Sequence, residues 1–270
     1  MMNEQLISHG YTPTKVLSCT CLGSRVILAQ NPSGQAFALK SSAKKVSDEQ
    51  YQETQRYLEN EAKILSSLDH EHVVKLIETF HVNGSIVLVL EYMCGGTLGL
   101  FIRNSKKLHT DVAKKLANQL TDAITYLHTM NIAHCDIKSD NVLLDEQRNV
   151  KLADFGFAED VRMASLKAIV WKGSPSFSSP EKLRGEVTNL LTGDVWSLGV
   201  VVFHMVTGYL PFGNETLHSI LDTIDKPLRW PRPMKVIDST CRDFVELILR
   251  TKESNRPTIQ QLGQHSWLLE

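Results

Sequence analysis

The sequence predicts an α+β protein with a small N-terminal sheet and a larger, mainly helical C-terminal part. Two observations point to this class. Short apolar segments separated by turn signals dominate the chain before residue 92, and apolar positions at helical intervals dominate it afterwards. The chain has 270 residues, of which 42% are hydrophobic, so it can build a large core in one domain or in two lobes.

Residues 11–40 are predicted to form a strand, a turn and two further strands. The turn lies in the N-P-S-G segment at 31–34, because Asn, Pro and Gly favour tight turns. In the strand that follows, side chains alternate between the two faces, so Ala38 and Lys40 share one face. A small residue beside a lysine leaves room for a flat ring and offers a cation to a phosphate group.

A long helix is predicted over residues 46–68. Leu58, Ala62 and Leu65 recur at a helical interval and mark its buried face. Many of the other side chains are polar, so we expect the remaining face to be exposed to solvent.

Two apolar strands are predicted at 73–80 and 85–91. They are joined by an Asn-Gly pair, which favours a tight hairpin turn. A second amphipathic helix is predicted over 110–130, where Thr110 can cap the first turn. The apolar positions of this helix are Val112, Leu116, Leu120, Ile124 and Leu127.

The chemistry concentrates in residues 132–158, which read I-A-H-C-D-I-K-S-D-N-V-L-L-D-E-Q-R-N-V-K-L-A-D-F-G-F-A. Two apolar segments flank a short polar turn, a pattern that predicts a hairpin with Asn141 and Asp154 at the same end. Amide and carboxylate oxygens suit a hard cation such as Mg²⁺. Asp136 is left to act as a base or to orient a hydroxyl group.

The bulk composition excludes several classes of function. A net charge of −1 gives no electrostatic case for binding nucleic acid or an anionic membrane. The five cysteines are scattered without a C-x-x-C pair, which favours reduced thiols inside the cell. Residues 1–10 lack the apolar core of a secretory signal. The apolar run at 195–206 is expected to be too short for a bilayer, so we expect a cytoplasmic or nuclear protein.

The stretch at 132–158 resembles the protein kinase catalytic loop, H-R-D-x-K-x-x-N, followed by D-F-G. Here the loop reads H-C-D-I-K-S-D-N at 134–141, and D-F-G stands at 154–156. The family's usual arginine is replaced by Cys135. The lysine two places after the aspartate, Lys138, resembles the serine/threonine branch of the family.

The resemblance extends to the N-terminal part. F-A-L-K at 37–40 resembles the family's V-A-I-K strand, and L-D-H-E-H-V-V-K-L at 68–76 resembles its L-x-H-x-x-I-V-x-L segment. The register of the second segment favours Glu61 over Glu59 as the partner of the strand lysine. E-Y-M-C-G-G at 91–96 looks like the hinge that holds adenine through its backbone. The resemblance implies that ATP binding involves Gly23, Val26, Ala38, Lys40, Glu61, Leu90, Glu91, Met93 and Leu143.

The loop that should cover ATP departs most from the family. A G-x-G-x-x-G-x-V loop is expected, since a Cβ would keep the backbone N–H groups away from the phosphates. Only Gly23 remains of the three glycines. One register aligns Ser18, Thr20 and Gly23 with the glycines. The other aligns Cys19, Cys21 and Ser24 and retains Val26 as the valine. In either register we expect weaker or altered ATP binding.

G-S-P-S-F-S-S-P-E at 173–181 resembles the end of a kinase activation segment. The family's common phosphorylation position is occupied here by Val170, and Ser165 carries the only hydroxyl group between residues 157 and 172. A phosphate at that position normally pairs with the arginine that Cys135 replaces. Since both partners are missing, we hypothesise that activity does not depend on activation-loop phosphorylation.

Further motifs imply structural contacts. By resemblance, Asp194 steadies the backbone of the catalytic loop, and Arg256 pairs with Glu181. Ser174 stands where the family's threonine contacts the catalytic aspartate and lysine, here Asp136 and Lys138.

Together these motifs identify a two-lobed kinase domain over residues 11–268, with lobes at about 11–92 and 93–268 and a short extension at 1–10. The resemblance implies transfer of the γ-phosphoryl group of ATP to a protein serine or threonine. It implies catalytic residues Asp136, Lys138, Asn141 and Asp154, the last two as Mg²⁺ ligands. The C-terminus resembles the calcium/calmodulin-dependent and energy-sensor group, whereas K-S-D at 138–140 resembles the p21-activated group, and the subfamily stays open.

The alternative is a pseudokinase that acts as a nucleotide-binding or protein-binding scaffold, which the altered covering loop and Cys135 favour. The intact Lys40, Asp136 and Asp154 favour the enzyme. We expect a monomer that acts on protein substrates and that any regulation comes from expression, a binding partner or the glycine-poor loop.

Overall fold

The computed structural model describes residues 2–19, 23–43, 47–163, 174–213, 216–231 and 237–269. The chain divides into two compact units, Met1–Cys94 and Gly95–Glu270. The first unit is built around a sheet and the second mainly from helices, so the predicted α+β class is confirmed.

The first unit contains a five-stranded antiparallel sheet, whose strand order is β1-β2-β3-β5-β4. The strands are β1 (Thr12–Cys19), β2 (Ser24–Gln30), β3 (Ala36–Ser42), β4 (Leu76–Val82) and β5 (Ser85–Glu91). The three strands predicted within residues 11–40 are present, but the predicted order is wrong: β1 and β2 both precede the turn at 31–34, and only β3 follows it. The strand predicted from residue 73 begins at Leu76.

Two turns fix the register of this sheet. In the first, Oδ1 of Asn31 accepts hydrogen bonds from the backbone N–H groups of Ser33 and Gln35, at 3.1 and 2.9 Å. In the second, Asn83 and Gly84 join β4 to β5 with φ values of +52° and +78°. Positive φ at both central residues is what a type I′ turn requires, so the Asn-Gly prediction is confirmed.

A helix covers one face of the sheet. Residues predicted only as an extension form α1 (Met2–Ser8), and Leu6 is 1% exposed. Leu6 packs into a core cluster with Tyr11, Ile27, Ala29, Phe37, Leu39, Val82, Val87 and Val89. The sequence prediction missed this helix because a single buried leucine among polar neighbours gives no periodic signal.

The other face of the sheet carries α2 (Asp48–Leu65), which begins two residues after the predicted start and ends three before the predicted end. The Ser47 hydroxyl accepts a hydrogen bond from the N–H of Gln50 at 3.2 Å and caps the first turn. Leu58 and Leu65 are buried as predicted, whereas Ala62 is only half-buried. Between them Glu61 is buried at 1% exposure, which directs a carboxylate toward the sheet.

The second unit is mainly helical. Its helices are α3 (Leu98–Ser105), α4 (Thr110–Thr129), α5 (Pro180–Leu183), α6 (Leu190–Thr207), α7 (Leu217–Ile224), α8 (Ser239–Ile248), α9 (Ile259–Leu262) and α10 (Ser266–Leu269). Four short strands form two pairs: β6 (Ile132–Ala133) with β9 (Glu159–Asp160), and β7 (Val142–Leu144) with β8 (Val150–Leu152). The β7–β8 pair is the hairpin predicted inside the 132–158 stretch.

The long helix α4 corrects the prediction at its N-terminus. His109, rather than Thr110, occupies the cap position, and its side chain makes no capping hydrogen bond. Val112, predicted on the buried face, is 38% exposed, and the neighbouring Ala113 is fully buried instead. The remaining predicted core positions, Leu116, Leu120, Ile124 and Leu127, are buried.

Helix α6 forms the centre of the second unit. It has 18 residues and a mean hydropathy of 1.5, so by length and composition it could cross a membrane, contrary to the predicted shortness of its apolar run. However, 78% of the helix is buried inside the protein, as in the core helix of a globular domain. Trp196 and Leu198 are among its fully buried side chains.

We predict that Leu6→Ala lowers the free energy of unfolding by about 2–5 kcal/mol, because it leaves a cavity between α1 and the sheet. Denaturant titration measures the effect. The control is Ile7→Ala on the same helix, where the side chain is 53% exposed and the expected change is within about 0.5 kcal/mol. Equal effects of the two substitutions would show that α1 does not stabilise the unit.

Candidate active site

In the first unit, Lys40 on β3 and Glu61 on α2 form a buried ion pair. Nζ of Lys40 lies 2.6 Å from Oε2 of Glu61, and their side chains are 9% and 1% exposed. The predicted partner of the strand lysine is thus confirmed as Glu61. The carboxylate fixes the ammonium group at one point of the sheet, as a site for an anionic group requires.

Strand register brings other predicted nucleotide-binding residues to the face that carries Lys40. Val26 on β2 lies directly opposite Lys40, and Leu90 on β5 lies directly opposite Ala38. Directly opposed residues project from the same face of a sheet. Three predicted residues, Val26, Ala38 and Leu90, therefore form one surface beside the ion pair.

The start of β2 depends on Gly23, whose φ is +84°. Only glycine adopts this conformation without steric cost. The carbonyl group of Gly23 accepts a hydrogen bond from the N–H of Ala43 at 2.6 Å, which ties the loop to the end of β3. Residues 20–22 lie outside the described part of the chain, and with them Thr20 and Cys21 of the two proposed loop registers.

The end of β5 carries the remaining predicted residues of this unit. Oε1 of Glu91 accepts a hydrogen bond from the N–H of Lys75 at 2.7 Å, so its side chain is used structurally. Met93 is 8% exposed. A side chain engaged in this way leaves recognition of a ligand to the main chain, as the hinge interpretation expects.

In the second unit, Asp136 is a buried hub of hydrogen bonds. Oδ2 of Asp136 accepts from Nζ of Lys138 at 2.6 Å and from Nδ2 of Asn141 at 3.0 Å. Oδ1 accepts from the N–H of Ser174 at 3.3 Å, and Nζ of Lys138 donates to Oγ of Ser174 at 3.1 Å. The predicted contacts of Ser174 with both residues are confirmed.

The β7–β8 hairpin positions Asn141 and Asp154 just beyond its two strands, with Val142 opposite Leu152. The N–H of Ala153 donates to the carbonyl oxygen of Asn141 at 2.9 Å. Nδ2 of Asn141 is engaged by Asp136 and leaves the amide oxygen as a ligand. An amide oxygen and a carboxylate are the donor types that Mg²⁺ prefers, so these residues fit that cation.

Leu143, the predicted adenine contact of this unit, is only half-buried, whereas Val142 and Leu144 on either side are completely buried. Alternation along β7 therefore turns Leu143 to the opposite face. The main chain of Leu143 also forms an isolated antiparallel β-bridge with Thr97.

A buried carboxylate holds the backbone that precedes Asp136. Asp194 on α6 accepts from the N–H groups of His134 and Cys135 at 2.7 and 2.9 Å, which confirms its predicted role. Burial alone would raise the pKa of Asp194, but the hydrogen bond from His128 and the nearby backbone donors lower it. The carboxylate therefore stays charged at neutral pH and can hold two donors.

Cys135 occupies a strained position in this loop. Its φ is +66°, which is uncommon for a residue with a side chain. Burial, with the charge of Asp194 as the second cause, raises the pKa of the thiol well above its usual range. The thiol is therefore neutral and takes no part in charge balance.

The sequence analysis missed two contacts that support the same loop. Nζ of Lys182 donates to the carbonyl oxygen of Cys135 at 2.7 Å, and the ring of His134 is hydrogen-bonded to the carbonyl of Ala153 at 3.1 Å. Burial lowers the pKa of His134, although nearby Asp194 and Asp136 oppose the shift. No local sequence pattern predicts either contact, because the two partners lie many residues apart along the chain.

The predicted pair of Glu181 and Arg256 is also present. The guanidinium group donates to both carboxylate oxygens at 2.6 Å, and the two residues are buried. Burial would raise the pKa of Glu181, but Arg256 lowers it. Residues 164–173, which include Ser165 and Val170, lie outside the described residues.

Comparison with known proteins adds an independent finding. Residues 22–268 match the family described as Protein kinase domain. Serine/threonine-protein kinase kin-29 of Caenorhabditis briggsae is 33% identical over 215 residues, which are 78% of this chain and 26% of that protein. Mouse testis-specific serine/threonine-protein kinase 2 is 35% identical over 221 residues, 79% of this chain and 61% of that protein. Human testis-specific serine/threonine-protein kinase 1 is 34% identical over 223 residues, 79% of this chain and 60% of that protein. The chain thus spans between about a quarter and three fifths of these relatives.

We predict that Arg256→Gln destabilises the protein by about 3–5 kcal/mol, because it leaves the buried Glu181 carboxylate without its cation. Denaturant unfolding at neutral pH measures the effect. The matched control is Arg184→Gln, which breaks an Arg–Asp pair with Asp225 on the surface, where the expected loss is at most about 1 kcal/mol.

The same pair predicts a pH dependence. Because the pKa of Glu181 is lowered in the folded state, its stabilisation is complete above the unfolded value of 4.5 and declines as the pH falls toward the lower folded value. The stability difference between wild type and Arg256→Gln should therefore shrink below pH 4.5. A difference that grows at acid pH would contradict the assigned ionic state.

Proposed function

This chain belongs to the protein kinase family, and on that premise we propose that it transfers the γ-phosphoryl group of ATP to serine or threonine hydroxyl groups of proteins. The observation that carries the proposal is the Asp136 hub, in which one buried carboxylate contacts Lys138, Asn141 and Ser174. The names of the three relatives support the serine/threonine class.

Each residue of the site has a separate role in the reaction. Asp136 orients the acceptor hydroxyl group and takes its proton as the oxygen attacks the γ-phosphorus atom. The bond between that phosphorus and the oxygen bridging it to the β-phosphate breaks, and ADP leaves. The ammonium group of Lys138, held 2.6 Å from Oδ2 of Asp136, stabilises negative charge on the transferred group. In the first unit, Lys40 binds the α- and β-phosphates while Glu61 holds it in place.

Asn141 and Asp154 would hold Mg²⁺, which neutralises phosphate charge when it is bound. Binding of the adenine ring is assigned to the surface formed by Val26, Ala38 and Leu90 and to the main chain at residues 91 and 93. Leu143 stays a predicted ATP-binding residue of the second unit. We place the protein in the cytoplasm or nucleus, since its scattered cysteines favour a reducing compartment.

The catalytic loop is held from within its own unit. Asp194 binds two N–H groups of the loop, and Lys182 binds the carbonyl of Cys135. These bonds supply fixed charges to the loop from α5 and α6. They support the proposal that activity does not require a phosphate on the activation segment.

We predict that Asp136→Asn lowers kcat for transfer to a basic test protein by about 10²–10⁴-fold, because the amide cannot accept the proton. Transfer of labelled phosphate from ATP measures kcat, and a thermal melt shows that the variant is folded. The control is Asp243→Asn on α8, whose side chain is 78% exposed. If wild type and Asp136→Asn are equally inactive while folded and able to bind ATP, the scaffold alternative is correct.

We also predict that protein from a host without protein kinases is active, and that Ser165→Ala retains its kcat to within about twofold, because the loop bonds described above do not involve a phosphate. Mass spectrometry before the assay establishes the phosphorylation state. Activity that arises only after Ser165 is phosphorylated would refute the proposal.

A further inference from the structure

We propose that Arg103 is a specificity-determining residue: it neutralises Asp140, so that the protein does not favour a basic residue at the substrate position that faces Asp140. The inference rests on the proposed function and extends it to the class of substrate. It concerns one corner of the second unit, formed by Gly99, Arg103, Ser139, Asp140 and His204.

Asp140 is the carboxylate of this corner that a substrate can reach. It lies in the catalytic loop between Lys138 and Asn141, and its side chain is 54% exposed. A peptide whose hydroxyl group is oriented by Asp136 must pass close to this loop. An unpaired carboxylate there would attract a lysine or arginine that flanks the acceptor.

Arg103 already supplies the cation. From α3, Nη1 of Arg103 lies 3.5 Å from Oδ1 of Asp140, and the arginine side chain is 60% exposed. A basic substrate residue must therefore displace Arg103 or share the carboxylate with it. Because the pair is exposed, we expect this competition to change the equilibrium constant for binding a basic substrate residue by about two- to fivefold.

The two elements approach closely at Gly99. A Cβ atom at this position would lie 2.5 Å from Oδ1 of Asp140, which is closer than real Cβ contacts. The N–H of Gly99 also donates to the carbonyl oxygen of Ser139 at 2.9 Å. This hydrogen bond joins helix α3 to the catalytic loop. It thereby keeps Arg103 close to Asp140.

His204 adds no positive charge to this corner. Its Nδ1 atom is hydrogen-bonded to Oγ of Ser139 at 2.7 Å. Burial lowers the pKa of His204 and Arg103 adds to the shift, although Asp140 opposes it, so the ring is neutral at neutral pH. The charges of Arg103, Asp140 and His204 therefore sum to zero.

Thr97, at the start of α3, is also engaged. Its hydroxyl group accepts a hydrogen bond from the N–H of Leu100 at 3.1 Å and caps the helix. Threonine carries no carboxylate, so this position offers no anionic group to a basic substrate residue.

The test compares matched serine peptides in which each position flanking the acceptor is either lysine or glutamine. For wild type, Arg103→Gln, Asp140→Asn and the double variant, the measured quantity is the ratio of kcat/KM for the lysine peptide to that for the glutamine peptide. We expect Arg103→Gln to raise this ratio about two- to fivefold at one flanking position, and we expect the double variant to abolish the rise. The rise should also diminish at high salt, because exposed charges are screened.

Arg184→Gln serves as the matched control, because it breaks a comparable exposed pair with Asp225 and should leave the ratio unchanged. A ratio that is unaltered in Arg103→Gln at every flanking position, or a rise that persists in the double variant, would overturn the inference while leaving the proposed function intact. If wild type transfers phosphate to none of the peptides or proteins offered, the proposed function fails and the specificity inference with it.

Discussion

The catalytic loop of the second unit depends on the buried carboxylate of Asp194. It accepts two backbone N–H groups from residues 134 and 135, and so holds Cys135 at a positive φ. Without this anchor the peptide before Asp136 would lose both acceptors inside a buried site, which costs more than an ordinary hydrogen bond. The ring of His128 on α4 is hydrogen-bonded to the same carboxylate. Asp194 therefore links two long helices, α4 and α6, to the catalytic loop.

Three ion pairs described above each lie within one unit. Lys40 is matched by Glu61, Asp136 by Lys138, and Glu181 by Arg256. At Glu181, the pairing with Arg256 lowers the pKa of a carboxyl group that burial alone would raise. Asp140 follows the same rule on the surface, where Arg103 compensates it. Ion pairs therefore stabilise the core. At the edge of the site, the pair of Arg103 and Asp140 also influences which substrates are preferred.

Local motifs predicted much of this arrangement. The hairpin after Asn141, the pair of Lys40 and Glu61, and the anchor at Asp194 follow from short patterns with fixed spacing. Helix α1 could not be predicted, because its only evidence is the fit of Leu6 against an apolar sheet face. The contact of Arg103 with Asp140 joins residues 37 positions apart and leaves no periodic trace. The predicted start of α2 was two residues early, because Ser47 takes the cap. The predicted start of α4 was right, but the cap residue is His109 rather than Thr110.

The most direct test of this account is the rate of amide hydrogen exchange in the catalytic loop of unphosphorylated protein. The account predicts slow exchange at the His134 and Cys135 amides, because Asp194 accepts both N–H groups. It also predicts much faster exchange at these two amides in Asp194→Asn, with little change in the β7–β8 hairpin. Rapid exchange at both amides in the wild-type protein would contradict the claim that the loop is ordered without a phosphate.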